Sequence, residues 1–147
     1  MALGTTHGSA LEAVCDTNET DSYTMPEFED RGILNLRWDR LLLEIIKDLA
    51  KRTDPGAIAM RFHRALANAI TAVAAKYPNL PVVLSGGCFQ NRILTELVLE
   101  QLLDHPAGCY TSCRIPPNDG GLAVGQLAVA AAVIEAGNNP QKERSCV

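Results

Sequence analysis

The sequence has few of the features that mark membrane, secreted or nucleic-acid-binding proteins. Its 147 residues carry a formal net charge of −4, which argues against a broad basic surface for nucleic acid. The N-terminus lacks the basic start and apolar core of a signal peptide, and we expect no apolar run that approaches a membrane span. We therefore predict a cytoplasmic protein with neither a membrane nor a nucleic acid as partner.

Cysteine and histidine are few and irregularly spaced, which disfavours a zinc site or a disulfide framework. The five cysteines form an odd, scattered set. Cys109 and Cys113 would share a face of one predicted strand, but no further zinc ligands follow at similar spacing. We predict free, mostly buried thiols. His63 is interpreted as a partly buried histidine bonded to a neighbour, and we assign it no chemistry.

Composition and periodicity predict a globular α/β chain. The hydrophobic fraction is 47% and the charged fraction 20%, enough apolar surface for a core. Asp39 is predicted to cap one helix, and Asp54, followed by a proline, to cap the next. Predicted strands cover 33–38, 82–84 and 109–114, and predicted helices cover 40–51, 55–76, 92–103 and 121–136.

The chain divides into three predicted regions. Residues 1–30 are interpreted as a partial N-terminal connection, in which Tyr23 and Phe28 anchor a polar loop on the core. Residues 31–136 form the main unit, and 137–147 a flexible polar tail. In the first predicted helix of the main unit, four apolar side chains fall on one face: Leu42, Ile45, Ile46 and Leu49.

The most informative segment is a glycine loop between a strand and a helix. The β-branched run at 82–84 is followed by Ser85-Gly86-Gly87, and Asn91 can cap the helix after it. This order presents backbone N–H groups to a phosphate. A plain tight turn explains the same glycines, so the residues alone leave both interpretations open.

A second glycine loop, residues 115–121, follows the next predicted strand. Asp119 is either a simple helix N-cap or a hard oxygen ligand for a divalent cation, and Gly120 and Gly121 leave room for a ligand. Gly125, inside the last helix, costs about 1 kcal/mol relative to alanine and so indicates a close approach of another group. Strand–helix–strand–helix order places both loops at the carboxyl edge of one sheet, where ligands bind.

These loops resemble the signature segments of a known enzyme family. Residues 84–91 and 116–126 are similar to segments of the carbamoyltransferases that mature [NiFe]-hydrogenases, the HypF family, and 58–63 resembles the helix before the first loop. The resemblance covers roughly residues 9–134. It implies the second half of an actin-like, Kae1-like ATPase domain with three-layer α/β architecture.

The resemblance also implies an activity. In the family, ATP and carbamoyl phosphate yield carbamoyl-adenylate in a separate domain. The actin-like domain then passes the carbamoyl group to the C-terminal cysteine of a maturation partner, as the precursor of a cyanide ligand. The matching residues imply a nucleotide site at Ser85, Gly86, Gly87 and Asn91, to which we add Gly120 and Gly121, and a metal ligand at Asp119; no catalytic residue is assigned.

The sequence departs from the family pattern in ways that change the expected activity. The histidine-rich metal motif of the first half is absent, as are the acylphosphatase-like, zinc-binding and adenylate-forming domains. A lone carboxylate holds a metal ion poorly, and we predict that this chain alone transfers no carbamoyl group. The alternative is a standalone nucleotide-binding or docking module without transferase activity.

Overall fold

The computed structural model describes residues 7–112, 115 and 119–137, and their fold is a mixture of helices and short strands, as predicted. The helices are α1 (His7–Ala13), α2 (Trp38–Ala50), α3 (Pro55–Ala75), α4 (Arg92–Gln101) and α5 (Leu122–Gly137). The strands are β1 (Glu27–Asp30), β2 (Ile33–Leu36), β3 (Val82–Leu84) and β4 (Cys109–Thr111). They form two two-stranded sheets, β1–β2 and β3–β4.

The chain folds as two compact units. The first comprises the described residues up to Val83 together with Asn91–Tyr110. The second comprises Leu84–Gln90 and the described residues from Thr111 onward. Residues 138–147 of the predicted tail, and Cys113 and Arg114 of the predicted strand, lie outside the described residues, whereas Gly137 is the last residue of α5.

The first unit is built around α3. As predicted, Asp54 caps this helix: its Oδ2 accepts hydrogen bonds from the N–H groups of Gly56 at 2.8 Å and Ala57 at 3.2 Å. Small alanine side chains let neighbouring elements approach α3 closely, and α4 packs along it. One buried cluster joins α3 to the preceding segment through Tyr23, Leu41, Ile58 and Ala65.

A β-hairpin occupies the stretch where we predicted a loop followed by one strand. β1 pairs antiparallel with β2, with Asp30 opposite Ile33. The turn residues Arg31 and Gly32 both have positive φ, 52° and 76°. Such turns favour asparagine or glycine at both positions, so an arginine at the first concealed the hairpin.

The two predicted anchors of that stretch have different outcomes. Tyr23 is buried, as predicted, with 6% of its surface exposed. The prediction for Phe28 is wrong, because the side chain is exposed and its ring lies 5.8 Å from the guanidinium carbon of Arg37.

Helix α2 begins earlier than predicted and buries a different face. Asp39 is not its N-cap; it lies in the first turn and accepts a hydrogen bond from Arg37 at 2.7 Å. Leu41 is the buried residue of this helix, and Ile45 packs partly against the core. The other three members of the predicted apolar face, Leu42, Ile46 and Leu49, are exposed.

The last helix contradicts one expectation. Among the described residues, Asp119–Ala136 is long and apolar enough to cross a membrane by length and composition, with a mean hydropathy of 1.3. The expectation that no apolar run approaches that length is therefore wrong. Core helices of soluble proteins meet the same criterion, so the property alone does not indicate a membrane protein.

Candidate functional site

A cavity of about 880 Å³ in the second unit brings the two glycine loops together. Its walls include Ser85 and Gly86 from the first loop and Asp119 and Gly121 from the second. Pockets that bind small molecules commonly have volumes of about 300–1,000 Å³. Two sequence segments more than 30 residues apart thus line one cavity of suitable size.

The first loop needs glycine for its backbone. Leu84 ends β3 with 2% of its surface exposed, and Gly86 then has a φ of +99°. Gly87–Gln90 form a single 3₁₀ turn, closed by a hydrogen bond from the Phe89 N–H to the Gly86 carbonyl at 3.1 Å. The left-handed conformation at Gly86 would strain any other residue and lets the chain turn sharply at the cavity wall.

The second loop presents a carboxylate to the cavity. Asp119–Gly121 form a 3₁₀ turn that leads directly into α5. Among the described residues, the Asp119 carboxylate has no hydrogen-bond or ion-pair partner, and its side chain is exposed at the cavity wall. Of the other predicted contact residues, Gly87 and Gly120 adjoin the wall in sequence without lining the cavity.

Among the described residues, Asp119 is the one candidate ligand for the predicted metal ion. No group of three His, Cys, Asp or Glu side chains that could hold a metal ion is found within the described ranges. A divalent ion needs several ligands, and Asp119 alone does not supply them. The described residues therefore do not form a metal site by themselves.

Asn91 is held by the first unit. Its Oδ1 accepts a hydrogen bond from the Leu94 N–H at 2.9 Å, which caps α4 as predicted. Its Nδ2 lies 2.7 Å from His63 Nε2 and donates to it, so the proton of the imidazole is on Nδ1, which donates to the Ala59 carbonyl at 2.7 Å. His63 is therefore bonded on both nitrogens, and it is only 2% exposed. The interpretation of His63 as a bonded histidine is confirmed; a nucleotide contact by Asn91 stays a prediction.

Sequence reasoning missed two side chains close to this pair. Cys15 Sγ lies 3.4 Å from His63 Nδ1, but that nitrogen already donates to Ala59. Burial, and then the charge of Glu12, raise the pKa of the Cys15 thiol, the opposite of what a nucleophile needs. Glu12 also accepts the Arg92 N–H at 2.8 Å. The start of α4 thus has two N–H groups bonded to side chains of the protein itself.

A second polar cluster, centred on Arg61, stabilises the first unit. The guanidinium contacts Glu19 and Asp48, each at 2.8 Å, and the Tyr23 hydroxyl donates to Asp48 at 2.9 Å. The hydrogen bond from Tyr23, and then those from Arg61, lower the pKa of Asp48. No local pattern in the sequence predicts this cluster, because its members come from three separate segments.

The fold matches solved structures of one class of enzyme. The chain superposes on full-length HypF in a phosphate- and nucleotide-bound form with a TM-score of 0.75 and 28% identity, covering 85% of this chain and 17% of that one. It superposes on HypF from T. kodakarensis with a TM-score of 0.68 and 22% identity, covering 88% and 17%. The class is therefore that of the Kae1-like α/β domains of carbamoyltransferases.

The sequence places the chain within that class. The family described as "Carbamoyltransferase, Kae1-like Domain, second subdomain" matches residues 6–126, and the chain belongs to it. Carbamoyltransferase HypF of Rhodobacter capsulatus is 43% identical over 91 residues, 59% of this chain and 12% of that protein. The Synechocystis HypF is 33% identical over 121 residues, 80% of this chain and 15% of that protein. The chain thus spans less than a sixth of the length of these relatives.

Proposed function

We propose that the chain supplies one wall of the carbamoyl-transfer site of a carbamoyltransferase that uses ATP and carbamoyl phosphate, and that it works in the cytoplasm. The observation that carries the proposal is the cavity shared by Ser85, Gly86, Asp119 and Gly121. The nucleotide contacts the glycine loops, where the backbone is accessible because side chains are small. Membership of the carbamoyltransferase family supports the class of reaction.

The proposed reaction transfers a carbamoyl group from carbamoyl-adenylate to a thiolate. The C-terminal cysteine of a hydrogenase maturation protein attacks the carbamoyl carbon. A sulfur–carbon bond forms, the bond from that carbon to the phosphate oxygen breaks, and AMP leaves with the electron pair. This chain contributes binding surface at the cavity and no assigned nucleophile, acid or base.

Asp119 is proposed as one ligand of a divalent cation whose other ligands come from the first half of the same domain type. The described residues hold no second ligand group, so we derive no step through the ion. For the same reason, the isolated chain is expected to be inactive. Its relatives are several times longer and have room for the missing groups.

Two measurements on the isolated chain test the proposal. Calorimetry should detect ATP binding that Asp119→Asn changes only in the presence of a divalent cation, because the carboxylate acts through the ion. Mass spectrometry of the maturation partner, incubated with the chain, ATP and carbamoyl phosphate, should show no carbamoylated cysteine. Product formation would contradict the expected inactivity, and the absence of any ATP binding would contradict the nucleotide site.

The second candidate is a docking module, favoured by the apolar side chains that α2 leaves exposed: Trp38, Leu42, Ile46 and Leu49. A pull-down with the remaining domains of a relative such as the Rhodobacter HypF, together with the ATP titration, distinguishes a docking module from a nucleotide-binding wall. Docking alone predicts capture that Asp119→Asn leaves unchanged, together with no ATP affinity.

A further inference from the structure

The backbone conformation does not explain why residue 125 is a glycine. It lies inside α5, where glycine lowers helix stability relative to alanine. It is absent from the described glycines with positive φ, which are Gly32, Gly86 and Gly108. Every L-residue can adopt the conformation that Gly125 has, so the chain geometry does not require glycine here.

Packing does not explain Gly125 either. A Cβ atom built on it meets no described heavy atom within 4 Å. At Gly56 in α3, by contrast, a Cβ would lie 2.7 Å from the carbonyl oxygen of Val14. Gly56 is required by a protein neighbour, whereas whatever approaches Gly125 is not among the described residues.

Gly125 does lie on the wall of the cavity in the second unit. Leu122 and Val129 lie three residues before and four after it, on the same face of α5, and both line the same cavity. The α5 wall is mainly apolar, with Gln126 as its polar member, and has no side chain at Gly125, whereas Ser85 and Asp119 make other parts of the cavity wall polar. An apolar wall cannot solvate phosphates, but it suits the face of a planar ring.

We propose that Gly125 is the position against which the adenine ring of ATP rests, so that its missing side chain sets the space for the base. This inference rests on the proposed nucleotide site and adds the orientation of the ligand: base on α5, phosphates toward the polar wall. Gly125 is thus a specificity-determining residue and takes no part in bond breaking.

The experiment compares two leucine substitutions on α5 and two ligands, using the full 147-residue chain. Gly125→Leu places an isobutyl group in the cavity, and Ala128→Leu places the same group on α5 outside the cavity wall. Each variant is titrated by calorimetry with ATP and, separately, with inorganic tripolyphosphate, after circular dichroism has shown that it melts cooperatively. The inference predicts that Gly125→Leu weakens ATP binding by about tenfold or more and leaves tripolyphosphate binding within twofold.

The outcomes separate this inference from the function on which it rests. Ala128→Leu should bind both ligands as the unmodified chain does. Unchanged ATP affinity in Gly125→Leu, or equal losses for ATP and tripolyphosphate, would overturn the base-facing assignment while leaving the nucleotide site intact. Failure of the unmodified chain to bind ATP would overturn the nucleotide site and, with it, this inference.

Discussion

The two compact units differ in how much of their surface they bury. The first contains nearly all the buried apolar side chains, spread over α2, α3 and α4, and it holds the Arg61 cluster and the capped helices. In the second, Leu84 is the sole buried residue among those described, and the described apolar residues of α5 are exposed. The first unit therefore supplies stability, and the second supplies the cavity.

This division has a physical reason. A binding surface must keep polar groups unpaired and backbone accessible until its ligand arrives. A unit that carries such a surface therefore buries fewer side chains and is less stable than a unit with a full core. Asp119, without a partner among the described residues, and Gly125, without a packing neighbour, are both examples. Substitutions should accordingly change stability strongly in the first unit and ligand affinity in the second.

The largest effect on stability is expected at Arg61. Replacing it by methionine leaves the carboxylates of Glu19 and Asp48, each 13% exposed, without their shared cation. Breaking a fully buried pair costs about 3–5 kcal/mol and an exposed one at most about 1 kcal/mol, so we expect a loss of about 2–3 kcal/mol. Urea unfolding measures the difference.

The matched control for Arg61→Met is Arg92→Met. Arg92 contacts Glu96 at 3.0 Å, but its side chain is 69% exposed, and its loss should cost less than about 0.5 kcal/mol. Equal losses in the two variants would show that the Arg61 cluster contributes no more than an ordinary surface pair.

The Arg61 cluster also predicts a loss of stability in acid. Hydrogen bonding from the backbone of Asp21 lowers the pKa of Glu19, and bonding from Tyr23 lowers that of Asp48. Groups with a lowered folded-state pKa stabilise the protein above their unfolded-state pKa of about 4, and the contribution disappears as the pH falls through the folded-state value. Unfolding free energies measured from pH 7 downward should decline below about pH 5, and less steeply in Arg61→Met.

The next largest effect compares one substitution in both units. Gly56→Ala puts a methyl group 2.7 Å from the Val14 carbonyl oxygen and 2.8 Å from Asp54 Oδ2, so we expect a loss of about 1–2 kcal/mol. Gly125→Ala meets nothing within 4 Å and should instead raise helix stability, by about 0.5–1 kcal/mol. Thermal unfolding that shifts in the same direction for both would contradict the contrast between the units.

The sequence predicted the features that depend on neighbouring residues. Asp54 and Asn91 were identifiable as caps because a cap bonds to N–H groups two or three residues away. The Arg61 cluster was not, because Glu19 lies 42 residues from its partner. The buried face of α2 was misassigned for a similar reason: periodicity identifies an apolar stripe, but only the tertiary fold decides which side of it is covered.

The candidate site was likewise predicted in part from local sequence and in part only visible in the tertiary fold. The order of strands, loops and helices predicted that Ser85 and Asp119 share one sheet edge, and both line one cavity. Ser112, which also lines it, belongs to no recognisable pattern and became apparent only in the fold, whereas Gln126 lies in the segment 116–126 that resembles the family. For the part of α5 that lines the cavity, the helix-destabilising glycine at position 125 was a further signal in the sequence.

The smallest effect is expected at Tyr23, where the hydroxyl donates to Asp48 within the Arg61 cluster. Tyr23→Phe should cost about 0.5–1 kcal/mol, the net value of one hydrogen bond, whereas Tyr110→Phe, on a side chain 57% exposed, should cost nothing measurable.

Burial, and then the bond to Asp48, raise the pKa of Tyr23 to about 12. The protonated phenol therefore stabilises the fold below about pH 10, and this contribution is lost as the pH rises through about 12. Titration of tyrosinate absorbance should show a step near the upper value that disappears in Tyr23→Phe; a step that persists in the variant would show that another phenol carries it.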